Sequence, residues 1–136
     1  MTNSIRIDKS VAMEVRDGTI LRGDVYRFND RQKRPALLIR TRYDRLKLEM
    51  GGGPAFMPVM DTIQAGYTLI VQSVRGTYDS GGKHRLDDPY LKVEETDGYD
   101  AVEWVASQPW CDGNVGMCGG SWAGTVQWVV AASNPP

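Results

Sequence analysis

The first third of the chain alternates between apolar and polar residues, which is the two-residue period of half-buried strands. Val11, Met13 and Val15 occupy every second position up to Asp17-Gly18, and a second strand returns from Thr19 to Phe28. An Asp-Gly pair between two such runs favours a tight turn, because glycine adopts the required positive φ without strain. The chain is therefore predicted to open with an antiparallel β-hairpin.

Continuous apolar runs indicate three further strands. Runs without alternation are typical of strands that are covered on both faces. They extend from Ala36 to Ile39, from Tyr67 to Gln72 and from Val115 to Cys118. We expect these segments to form the parallel part of a central sheet.

Segments with the sequence signals of helices lie between the predicted strands and after the last one. Pro54 can begin a short helix that ends near Ala65, and Ser121 to Ala132 has the small and apolar residues of a buried helix. A helix from Glu94 to Ser107 is predicted with acidic residues in its first turn, where they favour the helix dipole: Glu94, Glu95 and Asp97. Arg75 to Asp88 is rich in glycine and charge and is predicted as a surface loop. The order of elements predicts an α/β fold, a mostly parallel sheet with helices on both faces and an antiparallel edge.

Composition mainly excludes classes of protein. A length of 136 residues, with 41% hydrophobic and 24% charged residues, fits one globular domain or part of one. The net charge of −1, with scattered basic residues, disfavours nucleic acid and membrane partners. No apolar run reaches the ~20 residues of a membrane span. The first ten residues lack the apolar core of a signal peptide, so we expect a cytoplasmic protein, with Cys111 and Cys118 as small buried thiols.

A motif with chemical meaning follows the last predicted strand. Gly119 to Ala123 fits G-x-S-x-G with alanine in place of the last glycine. A serine at a sharp strand-to-helix corner has a strained backbone, and only small residues fit two positions to either side. Such a corner would expose the Ser121 hydroxyl beside the backbone N–H of Trp122, with the helix dipole behind it. The alternative is a glycine-rich turn in which Ser121 is an ordinary helix N-cap.

Several separated stretches resemble one family. The segment from Trp110 to Met117 that leads into Ser121, followed by Gln127-Trp128, is similar to the cocaine esterase and X-Pro dipeptidyl-peptidase family of serine hydrolases. Arg16-Asp17-Gly18 resembles the opening hairpin of the family, and Val71-Gln72 with Arg75-Gly76 resembles its loop after the second parallel strand. The likeness extends from Val11 to Pro136. It implies the α/β-hydrolase fold, present here in incomplete form.

The resemblance also assigns roles. It implies that Ser121 is the nucleophile, and that the hydroxyl of Tyr43 and the N–H of Trp122 form the oxyanion hole. Without the resemblance, Tyr43 reads as a surface loop tyrosine. No cofactor or metal is implied, the substrate is a small ester or amide or a short peptide, and homo-oligomerisation is left open. Arg42, Ser73 and Trp122 depart from residues common in the family, which puts substrate preference in question.

The rest of the catalytic machinery is not found. On this fold the acid and the histidine follow the serine, yet no Asp, Glu or His follows Ser121. His84 precedes the serine and is predicted to be an exposed loop residue. We therefore expect residues 1–136 to be the N-terminal portion of a hydrolase domain, without the cap and jelly-roll domains of the family. Its open strand edge predicts marginal stability in isolation.

The substrate remains open at this point. A carboxylesterase, an X-Pro dipeptidyl-peptidase and an acylase on amino-acid esters or β-lactam side chains are all compatible with the family. A noncatalytic interaction module that keeps the corner for folding is the alternative from another class.

Overall fold

A five-stranded mixed sheet organises the residues that the computed structural model describes, which are 4–50, 58–84 and 88–136, with backbone only for 88–90. The strands are β1 (Ile5–Glu14), β2 (Ile20–Phe28), β3 (Arg34–Thr41), β4 (Thr68–Ser73) and β5 (Cys111–Met117). The helices in these ranges are α1 (Arg45–Glu49), α2 (Val59–Gln64), α3 (Asp88–Ala106) and α4 (Trp122–Ala132).

The strand order is β1-β2-β4-β3-β5. β2 pairs antiparallel with both β1 and β4, whereas β3 pairs parallel with β4 and β5. The predicted hairpin, its turn at Gly18 with φ 83° and the three parallel strands are thus confirmed. Because β3, β4 and β5 run in the same direction, Thr41, Ser73 and Met117 end at one edge of the sheet, which we call the rim.

Helices cover both faces of the sheet. On one face, Leu38 and Ile70 pack with residues of α3 and α4, including Val102 and Val130. On the other face, Ile39, Leu69 and Val71 pack with Leu48 of α1 and Ile63 of α2. Strands covered in this way need apolar residues at successive positions, which explains why β3 and β4 lack the alternation of the hairpin. The predicted α/β architecture is confirmed.

The first strand is longer than predicted. It begins at Ile5, and a bulge between Asp8 and Val11, with Ser10 at φ 54°, interrupts its pairing with β2. The extra residue moves the side chains to the opposite face: Ile7 is paired with Tyr26, and Met13 with Leu21.

Two helices also differ from the predictions. α3 begins at Asp88, so the acidic residues assigned to its first turn lie in its interior, where Glu94 and Asp97 are buried in ion pairs with arginines. α1 was not predicted, and α2 begins at Val59, while Pro54 lies outside the described residues.

The remaining expectations concern thiols and membranes. Cys111 and Cys118 are free thiols at opposite ends of β5, the first buried and the second half-buried. Burial raises the pKa of Cys118 to about 11. Within the described ranges, no helix is long and apolar enough to cross a membrane.

Candidate active site

Ser121 occupies a strained corner between β5 and α4. Its backbone has φ 56° and ψ −124°, a conformation that residues with a side chain rarely adopt and that concentrates at functional sites. Ser121 is the N-cap of α4, but its side chain makes no capping hydrogen bond. Its carbonyl oxygen accepts instead from the N–H groups of Gly124 and Thr125, each at 3.0 Å. The hydroxyl is thus not used to cap the helix, and it is exposed at the rim.

Small residues make the corner possible. Gly119 has φ 121°, in the region that favours glycine, and packs directly against Ala123, which is fully buried. Alanine therefore meets the same steric requirement as the last glycine of the motif. Gln127 fixes the corner from inside α4, because its side-chain amide donates to the carbonyl oxygen of Gly119 at 3.1 Å.

Tyr43 reaches the same point from a different strand. It follows the end of β3, and its hydroxyl oxygen lies 3.1 Å from Ser121 Oγ. Its backbone N–H donates to Thr41 Oγ1 at 2.9 Å, and the next residue, Asp44, caps α1 by accepting from the Leu46 N–H at 3.0 Å. The loop that carries the phenol is therefore fixed at both ends, by the strand before it and the helix after it.

The surroundings of Tyr43 favour negative charge on its oxygen. The pKa of Tyr43 lies below its usual value, first because of the hydrogen bond with Ser121, and also because the backbone N–H of Trp122 and the guanidinium of Arg42 lie close. Hydrogen bonds and cations that stabilise a phenolate also stabilise other oxyanions at the same point. The structure thus brings together all three of the site residues predicted from the sequence: Ser121, Tyr43 and Trp122.

Two further side chains border the site. The guanidinium carbon of Arg42 lies 5.0 Å from the centroid of the Trp122 ring and 5.7 Å from that of Tyr43. The ring of His84 meets that of Trp122 edge-on at 6.0 Å. His84 is half-buried, so its prediction as an exposed residue is wrong. The loop folds back because Gly76, at φ 70°, leaves room for the backbone of Lys83 and His84.

A buried polar network supports the rim from below. Arg40 of β3 is fully buried, and its Nε donates to Gln72 Oε1 of β4 at 2.9 Å. Its Nη1 donates to the carboxylate of Glu94 in α3 and, at 3.3 Å, to the Glu94 carbonyl oxygen. The sequence indicated no role for Arg40, and it indicated Glu94 as an acidic residue in the first turn of a helix rather than as the partner of a buried arginine. The available signal for this ion pair was a charged residue directly after the apolar run of β3. If such an arginine is buried, its charge requires a partner.

A cavity lies beside the site. Its volume is about 560 Å³, and its lining includes Asp44, Arg45 and Asp79 but neither Ser121 nor Tyr43. Arg45 is paired there with Asp79 at 2.7 Å and donates to the hydroxyl of Ser73. These groups satisfy one another. Among the described residues, no group of three or more His, Cys, Asp or Glu could hold a metal ion.

Known proteins share this arrangement of elements. The family model for X-Pro dipeptidyl-peptidase (S15 family) matches residues 17–136. Cocaine esterase of Rhodococcus sp. (strain MB1 Bresler) is 33% identical over 129 residues, 93% of this chain and 21% of the esterase. A CocE/NonD family hydrolase from Staphylococcus aureus superposes with a TM-score of 0.85 at 28% identity, over 97% of this chain and 26% of that chain.

A second solved structure is an aminopeptidase from the marine sediment archaeon Thaumarchaeota archaeon, with a TM-score of 0.71 at 27% identity over 93% of this chain and 23% of that chain. The chain thus spans between 21% and 26% of the length of these relatives. The family model matches residues 17–136, which include the second strand of the hairpin, the rim and the Ser121 corner, so the chain belongs to the X-Pro dipeptidyl-peptidase (S15) family, which it shares with the CocE/NonD hydrolases.

Proposed function

We propose that this chain carries the nucleophile and the oxyanion hole of a serine hydrolase that cleaves ester or amide bonds through an acyl-enzyme. The observation that carries the proposal is the 3.1 Å separation between Ser121 Oγ and the hydroxyl oxygen of Tyr43, at a corner whose backbone is held at φ 56°. A strained serine whose hydroxyl does not cap the helix and faces a hydrogen-bond donor is typical of a nucleophile beside an oxyanion hole.

The reaction follows from the positions of three groups. Ser121 Oγ attacks the carbonyl carbon of the substrate and gives its proton to a base, and the carbonyl oxygen becomes an oxyanion. The Tyr43 hydroxyl and the Trp122 N–H donate to that oxyanion. The C–O or C–N bond then breaks, the leaving alcohol or amine takes the proton from the base, and water hydrolyses the acyl-Ser121 ester in a second round of the same steps.

The base and its acid are proposed to come from elsewhere in the protein. Serine requires a base oriented by an acid, and in this fold both follow the nucleophile. His84, the one histidine of the sequence, precedes Ser121 and packs against the Trp122 ring. We propose that residues 1–136 are the N-terminal portion of the hydrolase domain, which agrees with the small share of each relative that the chain spans.

A fluorophosphonate probe tests the assignment, because it reacts covalently with activated serines. We expect the full-length protein to be labelled and the peptide that contains Ser121 to carry the added mass. Ser121→Ala should abolish labelling. Ser107→Ala is the matched control, since Ser107 is an exposed serine that follows α3 and donates to the Trp104 carbonyl oxygen. Unchanged labelling of Ser121→Ala would overturn the proposal, and no labelling of the wild type would support a noncatalytic module.

Ester and peptide activities can be separated with the same protein. The family description and the archaeal aminopeptidase favour peptide substrates as a second candidate, whereas the Rhodococcus relative is named an esterase. Hydrolysis of Ala-Pro-4-nitroanilide would support an X-Pro dipeptidyl-peptidase. Hydrolysis of 4-nitrophenyl esters without release of 4-nitroaniline would support a carboxylesterase.

A further inference from the structure

Arg42 places a cation beside the proposed nucleophile. The residue lies between the end of β3 and Tyr43, and its guanidinium contacts the rings of both Tyr43 and Trp122. Within the part of the chain that the structure describes, the guanidinium N–H groups make no hydrogen bond of ordinary length, so they can donate to another molecule.

The charge of Arg42 is not neutralised by the described part of the chain. Most other arginines here are paired, as in Arg16–Asp100, Arg34–Asp30, Arg40–Glu94, Arg45–Asp79 and Arg75–Asp97. No carboxylate of the side chains that the structure describes lies within 4.0 Å of Arg42. Arg42 is also half-buried, and partial burial strengthens its attraction for an anion.

The cation is close enough to reach a substrate bound at Ser121. The Arg42 guanidinium lies near enough to the Tyr43 hydroxyl to contribute to the lowered pKa of that group. The guanidinium carbon lies 5.7 Å from the centroid of the Tyr43 ring, and the hydroxyl oxygen of the same ring lies 3.1 Å from Ser121 Oγ, so the cation and the nucleophile border the same side chain. A carboxylate at the end of an acyl chain of a few methylene groups can extend from Ser121 Oγ towards this cation.

On the basis of the proposed hydrolase function, we propose that Arg42 binds a carboxylate of the substrate, and that the preferred substrates are esters or amides with an anionic group a few carbon atoms from the scissile carbonyl. The planar fork of arginine matches a carboxylate with two parallel hydrogen bonds. A substrate with an ammonium group at the same place is repelled. Arg42 is thus a specificity-determining residue, separate from the groups that stabilise the oxyanion.

The test compares two esters of the same shape on the full-length protein. Mono-4-nitrophenyl glutarate carries a carboxylate where 4-nitrophenyl 5-methylhexanoate carries an isopropyl group. We expect wild-type kcat/KM to be at least tenfold higher for the glutarate, and Arg42→Gln to reduce that ratio at least tenfold, mainly through KM. Arg42→Lys should keep part of the preference. Arg31→Gln removes the same charge from an exposed loop before β3, at the end of the strand away from the rim, and should leave the ratio unchanged.

The rate of hydrolysis measured with Ser121→Ala is subtracted as the spontaneous rate. An equal fall for both esters in Arg42→Gln, or a wild type that does not prefer the anion, would overturn the assignment. The salt dependence of the wild type gives a second measurement that needs no variant, since added salt should lower kcat/KM for the glutarate and not for the neutral ester. Failure of the hydrolase proposal is distinct, because neither ester would then depend on Ser121.

Discussion

Gly119 and Ala123 are packed so closely that a Cβ atom added to Gly119 would lie 2.7 Å from the Cβ of Ala123. Real Cβ atoms do not approach one another at this distance, so the contact fixes the chain before the corner against the first turn of α4. It determines how far Ser121 is raised above the sheet. The position two residues before the serine therefore requires glycine for two reasons, its φ of 121° and the absence of space.

Gly119→Ala is expected to lower the free energy of unfolding by about 2 to 6 kcal/mol, since backbone strain costs of order 1–3 kcal/mol and overpacking a similar amount. Gly113→Ala is the matched control, because Gly113 also has positive φ, 97°, but no atom lies within 4 Å of its added Cβ. Urea denaturation should show that Gly113→Ala lowers the free energy of unfolding by the cost of backbone strain alone. Equal losses at the two sites would contradict the steric explanation.

Tyr43→Phe removes one proposed oxyanion donor and keeps the ring. Removing one such donor typically lowers kcat by about 10²–10³-fold, with KM changed little, because the bond strengthens only in the transition state. Steady-state kinetics with a 4-nitrophenyl ester measures both constants. Tyr67→Phe is a suitable control, as Tyr67 is an exposed tyrosine between α2 and β4. A fall in kcat below threefold for Tyr43→Phe would remove the phenol from the mechanism.

The same phenol predicts a loss of activity at alkaline pH. Tyr43 donates to the oxyanion only while it is protonated. Its pKa is lowered, first by the hydrogen bond with Ser121, so it loses this proton below the usual tyrosine pKa of about 10. kcat/KM should therefore fall as the pH rises through a value below 10, and the residual activity of Tyr43→Phe should lack this fall. A wild-type profile that is flat up to pH 10 would contradict the assignment.

The general architecture and the corner of Ser121 and Trp122 could be predicted from the sequence, because each rests on a local signal. Gly18 and Gly119 mark turns that need positive φ, and apolar runs mark the strands that helices cover on both faces. The corner motif depends on residues within five positions of one another. Bringing Tyr43 to Ser121 needed the family resemblance, since 78 positions separate them along the chain.

What could not be predicted depends on long-range partners. The bulge at Ser10 reverses the faces of β1, so alternation alone did not show that Ile7 and Met13 point to opposite sides. Glu94 and Asp97 looked like acids at a helix N-terminus, because their partners Arg40 and Arg75 lie in other elements. The Asp88-Pro89 pair was an available signal for the earlier start of α3, since proline is favoured at the first helical position.

The buried pair of Arg40 and Glu94 leads to the last prediction. Both side chains are fully buried, and they connect β3 to α3 beneath the strand end that carries Tyr43. Removing one partner leaves an uncompensated charge inside the protein, which typically costs about 3–5 kcal/mol. Glu94→Gln should therefore lower the urea midpoint strongly, whereas Glu95→Gln, at the neighbouring and less buried position, should change it little.

The double variant Arg40→Met with Glu94→Leu separates the effect of the pair on stability from its effect on the position of Tyr43. Replacing both charges by apolar residues of similar volume removes the desolvation cost together with the attraction, so most of the stability lost in Glu94→Gln should return. The hydrogen bond from Arg40 to Gln72, which joins β3 to β4 near the rim, does not return. If that bond positions Tyr43, the rate of fluorophosphonate labelling at Ser121 should stay reduced in the stable double variant. A double variant labelled at the wild-type rate would show that the pair serves stability alone.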